Sequence, residues 1–391
     1  MLNRLILWSL ANRLLVLLGA VLLLAGGAWT ALRLPVDVFP DLTAPTVTIL
    51  SEAHGMAPEE VETLVTFPVE ASVNGATGVR RVRSSTAQGI AVIWVEFDWG
   101  TDIFRARQIV TEKLQTVAPS LPPDLPPPVL APVSSIMGEI LMIGLTGPQP
   151  PQELRTVADW TVRRRLLAIQ GVSQVVPIGG EVKEYQVLAD PARMRAAGVT
   201  LVQVLEAAAG SNRNAAGGVY RDRGQEVVIR GIGRARGVEE IAQTVVTVHD
   251  GVPVLLGQVA DVAIGAAPKV GDGSVNATSG VVLSVQKQPG ANTLELTERI
   301  EAELDAIQRS LPEGMLLHTE LFRQSSFIRL AVANVIEALR DGAILVVVIL
   351  FLFLGDVRAT SISVLAIPLS LVVAILAMEG LGITINTMTL G

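Results

Sequence analysis

Asp37 and Asp41, four residues apart in the stretch LRLPVDVFPDL, form a carboxylate pair that could bind a cation. Pro35 and Pro40 lie in the same stretch, and proline breaks a helix. The four-residue spacing therefore does not place both acids on one helical face. Two interpretations stay open: a site that gathers cations, or the point at which the chain leaves the apolar run before it.

Charged side chains also precede a second apolar run, where Glu337, Arg340 and Asp341 share one side of a predicted helix. Residues three apart on a helix are neighbours, so Glu337 and Arg340 can pair. Such a pair could couple a large loop to the apolar run, although a solvated helix entry is the simpler interpretation.

Patterns typical of enzymes do not occur in the sequence. There is no phosphate-binding GxxxxGK[ST] motif, so ATP is not the energy source encoded here. His54, His249 and His318 are far apart, and none has a second histidine or cysteine at metal-ligand spacing. We predict no enzyme activity and no cofactor. The net charge of −7 argues against a nucleic-acid partner, and the absence of cysteine excludes disulfides and thiolate metal sites.

The composition is too apolar for an ordinary soluble protein, because half of the residues are hydrophobic and the mean hydropathy is +0.50. A helix needs roughly 20 apolar residues to cross a bilayer. The pattern predicts transmembrane helices over 1–33, 331–355 and 359–379, and the start of a fourth at 381–391. A secretory signal peptide is the alternative for the first of them.

Arginines in the short flanks of the apolar runs set the predicted orientation. Arg4 and Arg13 flank the first run and Arg358 follows the second, which places the N-terminus in the cytoplasm and the large loop outside. Arg329 and Arg340 favour the opposite orientation.

The large loop contains two similar units, 34–132 and 133–330. GVRRV in the first recurs as GVSQV in the second, and in both a later helix stops at Ser-Leu-Pro. Each unit is predicted to be a β-α-β-β-α-β sheet with helices on one face. The proline-rich segment 122–132 is an extended spacer between them. An insertion at about 185–275 interrupts the second unit, either for a contact of its own or as surface elaboration.

Four stretches occur in order along the chain: LPVDVFPDLTAPTVTI, PEEVETLVTFPVE, GTDIFRARQIVTEKLQ and FIRLAVANVIEALRDGAILVVVILFLFLGDVRAT. Because of these four stretches and their order, the whole chain resembles the N-terminal portion of a resistance–nodulation–division (RND) efflux permease. It is most similar to the heavy-metal branch, of the copper/silver or cobalt-zinc-cadmium type.

This resemblance implies an α+β membrane protein with transmembrane helices and two ferredoxin-like periplasmic porter subdomains, the insertion being a docking region. It also implies a homotrimer in the inner membrane of a Gram-negative bacterium, working with a periplasmic adaptor protein and an outer-membrane channel. Proton influx would drive the export of metal cations, with no resident cofactor.

The resemblance also singles out Met388, which matches a metal-relay methionine of copper-exporting members. A thioether suits Cu(I) or Ag(I), while one methionine is also common core filler. The family's acidic proton-relay residues and second porter pair lie beyond residue 391. Residues 1–391 alone are therefore not expected to transport, whereas the full-length protein is expected to confer metal tolerance.

Two other functions stay open. The same fold could export drugs or other organic compounds, although an aromatic content of 4% disfavours an aromatic-lined drug pocket. The chain could also be a membrane-anchored periplasmic binding or assembly module without transport.

Overall fold

A computed structural model describes residues 8–31, 44–133, 138–231, 233–269 and 271–381, together with residues 386 and 389. Helix α1 spans Arg13–Ala31 and carries no charged residue after Arg13. Most of its side chains are exposed rather than packed in a core. Its length and hydropathy are sufficient for a helix that crosses a bilayer.

The first unit is a four-stranded antiparallel sheet covered on one face by two helices. Its elements are β1 (Thr46–Glu52), α2 (58–74), β2 (Val79–Ala87), β3 (Ile90–Phe97), α3 (Ile103–Val117) and β4 (Val129–Leu130). The strands lie in the order β2-β3-β1-β4. Side chains of α2 and α3 pack against Ile49, Ile93 and Phe97 of the sheet, which are fully buried.

Helix α2 begins at Ala57 and Pro58, in the stretch APEEVE, whose proline and acids are typical of a helix start. Proline suits the first helical position because its missing N–H would be unpaired there anyway. The Glu60 carboxylate accepts a hydrogen bond from the Ala57 N–H at 3.1 Å, and acids at this end meet the positive end of the helix dipole. The middle of the helix, Glu62–Thr66, is a π-helical turn.

The second unit opens with β5 (Glu139–Thr146), α4 (151–167) and β6 (Val172–Gly179). Helix α4 also contains a π-helical turn, at Ala158–Val162. Such turns are rare in proteins. The first helix of each unit therefore shares this irregularity.

The insertion follows β6 and forms a small body of its own. Its elements are β7 (Lys183–Ala189), α5 (Pro191–Ala196), α6 (Leu201–Gly210), β8 (Ala215–Asp222), β9 (Gln225–Gly231), α7 (Val238–Ala242), β10 (Val245–His249), β11 (Val252–Leu255), α8 (Leu256–Val259), β12 (Ala260–Ala266), β13 (Ser274–Val275) and β14 (Thr278–Ser279). Strand β7 pairs with β12, β8 with β9 and β10 with β11. Its core consists of Met194, Val199, Val204, Ile241, Leu256 and Val259.

One local prediction within the insertion is right only in part. The stretches GVYRDRGQEVVIRG and VPVLLGQVADV are predicted as hairpin strands, and the first forms the β8–β9 hairpin. In the second, one helical turn, α8, separates β11 from β12, and these two strands pair with different partners. A short apolar run fits a strand or a buried helical turn equally well, so periodicity cannot distinguish them.

Strand β15 (Val281–Lys287), helix α9 (Thr293–Gln308) and strand β16 (Leu316–Arg323) complete the second unit. Its strands lie in the order β16-β5-β15-β6, so each occupies the place of its counterpart in the first sheet. Helices α4 and α9 cover one face, and their contacts with β5 and β15 form the largest core of the described residues. The Asn292 side chain caps α9 by accepting the Leu294 and Glu295 N–H groups.

Helix α10 (Gln324–Leu354) follows β16 directly, so the boundary predicted at 330/331 lies inside a helix. Gly355 ends α10 in a left-handed conformation with φ of +61°, which glycine adopts without strain. The Asp356 side chain then caps α11 (Val357–Gly380) by accepting the Arg358 N–H at 2.9 Å. Helix α11 is long and apolar enough to cross a bilayer, whereas the uncharged stretch of α10 covers only 342–354.

Helices α1 and α11 pack against each other through a small residue. Gly27 lies directly against Val372, and the Thr30 hydroxyl donates a hydrogen bond to Glu379 Oε2 at 3.1 Å. From the first contact to the second, the residue number rises in both helices, from Gly27 to Thr30 in α1 and from Val372 to Glu379 in α11. The two helices therefore run parallel. The turn at Gly355 therefore lies at the same end of this helix pair as the start of α1.

Candidate coupling site between the second unit and the membrane helices

The predicted site residues divide into two groups. Asp37, Asp41 and Met388 lie outside the described residues, so their roles stay predictions. Glu337, Arg340 and Asp341 lie on α10. Arg340 Nη2 is 2.8 Å from Asp341 Oδ1 and 3.4 Å from Glu337 Oε1, and all three side chains are mostly exposed. These three residues form a surface ion-pair cluster along one helix, and a coupling role for them is an untested prediction.

A different set of charged residues connects the second unit to α10. Arg323, the residue before the helix, places Nε 3.1 Å from Glu301 Oε1. Arg329, in the second turn, places Nη2 3.0 Å from Glu298 Oε1. Both glutamates belong to α9, so the two ion pairs join a helix of the second unit to the start of the long helix.

The packing of α9 explains why its glutamates face α10. Leu296, Ile300, Leu304 and Ile307 line its buried side. Glu298 and Glu301 are three residues apart and therefore neighbours on the helix surface. Arg323–Glu301 is the less exposed of the two pairs, with about a quarter and a third of the side chains exposed, although Arg323 Nε does not meet hydrogen-bond geometry there.

The first turns of α10 are anchored inside the second unit. Gln324, Ser325 and Ile328 are buried, and Ile328 is completely inaccessible. The helix then continues without interruption to Leu354. The second unit and α10 are therefore joined without an intervening loop, through buried first turns and two ion pairs.

The junction between the second unit and its insertion has a distinct geometry. Gly179 and Gly180, at the end of β6, have φ of +86° and +67°. Arg155 binds there, donating from Nη1 to the Gly179 carbonyl at 2.8 Å and from Nε to Asp159 Oδ2 at 2.8 Å. A cavity of about 420 Å³ lies beside it, with Lys269 on its wall. The insertion therefore leaves the sheet through a tightly fixed turn.

No group of three or more His, Asp or Glu side chains that could hold a metal ion occurs within the described part of the chain. The histidines lie apart and make other contacts. His318 Nε2 is 2.8 Å from Thr146 Oγ1, and His54 Nε2 is 3.2 Å from Glu52 Oε2.

The sequence matches the AcrB/AcrD/AcrF family over residues 5–391. The chain belongs to this family of RND permeases. The predicted resemblance to RND efflux permeases is therefore confirmed. Members of the family are transporters rather than enzymes, which agrees with the prediction for this chain.

Curated relatives of this RND chain include proteins named for metal resistance or cation efflux. It is 34% identical to protein HelA of Legionella pneumophila, over the whole chain and 38% of HelA. It is 32% identical to the cobalt-zinc-cadmium resistance protein CzcA of Cupriavidus metallidurans, over the whole chain and 38% of CzcA. It is 33% identical to the cation efflux system protein CusA of Escherichia coli K12, over 98% of the chain and 37% of CusA.

The fold of this RND chain also matches a solved structure. A crystal structure of a heavy metal efflux pump superposes with a TM-score of 0.88 at 27% sequence identity, covering 98% of this chain and 38% of that one. The described residues thus have the RND permease fold, with mixed helices and sheets. The chain spans about two-fifths of the length of these relatives.

A buried carboxylate holds together the outer face of the first sheet in this RND chain. Glu96 on β3 accepts hydrogen bonds from Arg81 at 2.8 to 3.0 Å and from Arg83 at 2.6 Å, both on β2. Only 7% of Glu96 is exposed, because the arginine side chains cover it. Desolvation acts to raise the pKa of Glu96, but the hydrogen bonds and charges of the two arginines outweigh it and lower that pKa.

This lowered pKa makes the contribution of Glu96 to stability depend on pH. A carboxyl group with a depressed folded-state pKa stabilises the fold fully above its ordinary value of 4.5, and that stabilisation is lost as the pH falls through the lower value. We expect Glu96→Gln to cost about 1 kcal/mol at pH 7, because the arginines are half-exposed and recover hydration. The cost should shrink below pH 4.5.

Thermal melting of the detergent-solubilised protein between pH 7 and pH 3 would measure this difference. The matched control is Glu226→Gln, since Glu226 pairs with Arg221 at 2.6 Å on an exposed hairpin. A solvated pair contributes little, so this variant should melt like the parent at every pH. Equal effects of the two substitutions would contradict the assignment.

Proposed function

We propose that the protein to which these residues belong is a proton-driven inner-membrane permease that exports metal cations. The observation that favours transport is α10, which is buried in the second unit at Gln324, paired to it through Arg323 and Arg329, and continuous to Leu354. A binding or assembly module needs an anchor but no such stiff connection. A transporter that works by alternating access needs both a membrane anchor and a stiff connection between the membrane helices and the extramembrane units.

The two repeated units are, in this proposal, ferredoxin-like porter subdomains, and the insertion at about 185–275 is the docking region. The support is their strand order, in which the fourth and third strands flank the first, with both helices on one face. The domain boundaries at 34–132 and 133–330 are part of the same proposal, with the second unit extended to the buried first turns of α10.

The large loop is proposed to lie in the periplasm of a Gram-negative cell. Helices α1 and α11 run parallel, so Arg13 and the turn before Arg358 share one side, and arginines near short flanks favour the cytoplasm. The assembly that this implies is a homotrimer with a periplasmic adaptor and an outer-membrane channel.

Metal cations are the proposed substrates because CzcA and CusA are named for cation efflux or metal resistance. Proton flow is the proposed energy source. Met388 is the candidate for contact with a soft cation such as Cu(I), and Asp37 and Asp41 are candidates for gathering cations at the membrane surface. Export of organic compounds is the second candidate, and the low aromatic content, 4%, disfavours it.

The complete gene, expressed in a host that lacks its own metal exporters, tests this proposal. We expect growth to tolerate a higher concentration of at least one metal among copper, silver, cobalt, nickel, zinc and cadmium. Tolerance to detergents or dyes alone would favour the organic-compound exporter. Tolerance to none of these, with protein present in the membrane, would favour the binding or assembly module.

Charge reversal at the coupling site tests the part played by α10. We expect Arg323→Glu with Arg329→Glu to abolish the tolerance, because each new carboxylate faces a glutamate of α9. Adding Glu298→Arg and Glu301→Arg should restore much of it by re-forming both pairs with the charges exchanged. Arg299→Glu is the control, since its side chain is 3.9 Å from Glu295 of the same helix. Full tolerance in the reversed variant would show that coupling does not use these pairs.

A further inference from the structure

The first helices of the two units expose aromatic side chains beside charges of opposite sign. On α2, Phe67 is 67% exposed and lies near Glu59 and Glu62, which are also exposed. On α4, Trp160 is 62% exposed and lies near Arg163 and Arg164. We call Glu59, Glu62 and Phe67 the acidic face, and Trp160, Arg163 and Arg164 the basic face.

The acidic face has charge that the described part of the chain does not neutralise. Residues 58–74 contain four glutamates and neither lysine nor arginine. Glu60 is occupied in capping the helix, whereas Glu59 and Glu62 form no ion pair with a described residue. The Phe67 N–H donates to the Glu62 carbonyl across the π turn, so the ring lies one turn from the Glu62 carboxylate. An apolar ring and two free carboxylates thus share one exposed strip.

The basic face has the complementary arrangement. Arg165, next in sequence, is satisfied by Glu303 at 2.6 Å. Arg163 donates to the Val175 carbonyl at 3.0 Å, and the Arg164 guanidinium stacks 3.9 Å from the centroid of the Trp160 ring. Within the described residues, neither Arg163 nor Arg164 has a carboxylate within ion-pair distance. Arginine and tryptophan are the residues most enriched at the energetic centres of protein interfaces.

These two faces complement each other in both charge and apolar surface, and one chain carries both. We propose that a second copy of this chain covers them, with the acidic face of α2 in one copy docked on the basic face of α4 in the next. A contact between two different faces is heterologous, and repetition with rotation closes a ring. The opposed charges would fix which neighbour binds and in which register. This inference concerns assembly and holds whichever substrate the protein exports.

Residues 1–391 contain no cysteine, and any cysteine encoded beyond residue 391 would first be replaced by serine, so that introduced cysteines report on this contact alone. We would co-express, from the complete gene, one tagged copy with Phe67→Cys and a differently tagged copy with Trp160→Cys, and treat membranes with a short bis-maleimide. A crosslinked product that carries both tags is expected. Pairing Phe67→Cys with Leu316→Cys is the control and should give none, because Leu316 is 55% exposed but lies outside both faces.

Charge reversal separates docking from a folding defect. Arg163→Glu with Arg164→Glu should lower the yield of the mixed product about tenfold, because four carboxylates then face each other. Adding Glu59→Arg and Glu62→Arg in the other copy should restore it. A product that carries only one of the two tags, no product above the control pair, or a yield indifferent to the charges would each overturn the proposal.

Discussion

Gly179→Ala is expected to lower the free energy of unfolding of the second unit by about 2–5 kcal/mol, since left-handed strain and overpacking both contribute. The φ of Gly179 is +86°, which L-residues other than glycine rarely adopt. A Cβ would also approach backbone atoms of Gly273 and Gly280, with the Gly280 carbonyl oxygen at 2.8 Å. Backbone cannot rotate away as a side chain can.

This position decides how the insertion is attached. Gly179 ends β6, and Gly273 and Gly280 belong to the segment by which the chain returns to β15. The entry and exit strands of the insertion therefore meet at one glycine. A methyl group at Gly179 should push these two backbone segments apart and so loosen the insertion from the sheet. The hydrogen bond from Arg155 to the Gly179 carbonyl, which is 2.8 Å long, should then be lost.

The matched control for this prediction is Gly218→Ala on the β8–β9 hairpin. Its φ is +79°, but no atom lies within 4 Å of the position that a Cβ would take. The cost should be the conformational part alone, about 1–2 kcal/mol. Thermal melting in detergent, together with protease cleavage within 180–280, would measure both variants. A Gly179→Ala protein no less stable than Gly218→Ala would refute the crowding argument.

Local features of the fold follow from the sequence because they depend on neighbouring residues. Pro58 at the start of α2 and Asn292 before α9 mark helix starts that the structure contains. The Ser-Leu-Pro echo predicts where the second helix of each unit stops, and α3 and α9 end just before it. Such signals are set by backbone hydrogen bonding at helix termini, which needs no tertiary contact.

The coupling site depends on residues that the sequence separates. Arg323 and Glu301 meet because β16 returns the chain along α9, and no periodicity within either segment reveals that return. The charges nearest the apolar run in the sequence are instead Glu337, Arg340 and Asp341. The pairing of Arg81 with Glu96 likewise needs the register of β2 on β3, which a turn and a hydrophobic pattern only partly fix.

Gly27→Ala should separate α1 from α11. Gly27 packs directly on the Val372 side chain, so an added methyl group overlaps Val372 Cγ1 unless the helices move apart. Small residues in membrane helices allow this close approach. We expect a loss of about 1–3 kcal/mol from overpacking, together with loss of the hydrogen bond from Thr30 to Glu379, which is 3.1 Å long.

The neighbouring glycine provides the control for this prediction. Gly26 has no atom within 4 Å of a Cβ position, so Gly26→Ala should leave the melting temperature unchanged or slightly raise it. Val372→Ala should relieve the overlap, so the double variant Gly27→Ala with Val372→Ala should be more stable than the sum of the single effects predicts. Additive single effects, or equal melting of the two glycine variants, would show that α1 and α11 do not pack through Gly27. Because the parallel arrangement of these helices supports a periplasmic location for the large loop, that result would also weaken the proposed orientation.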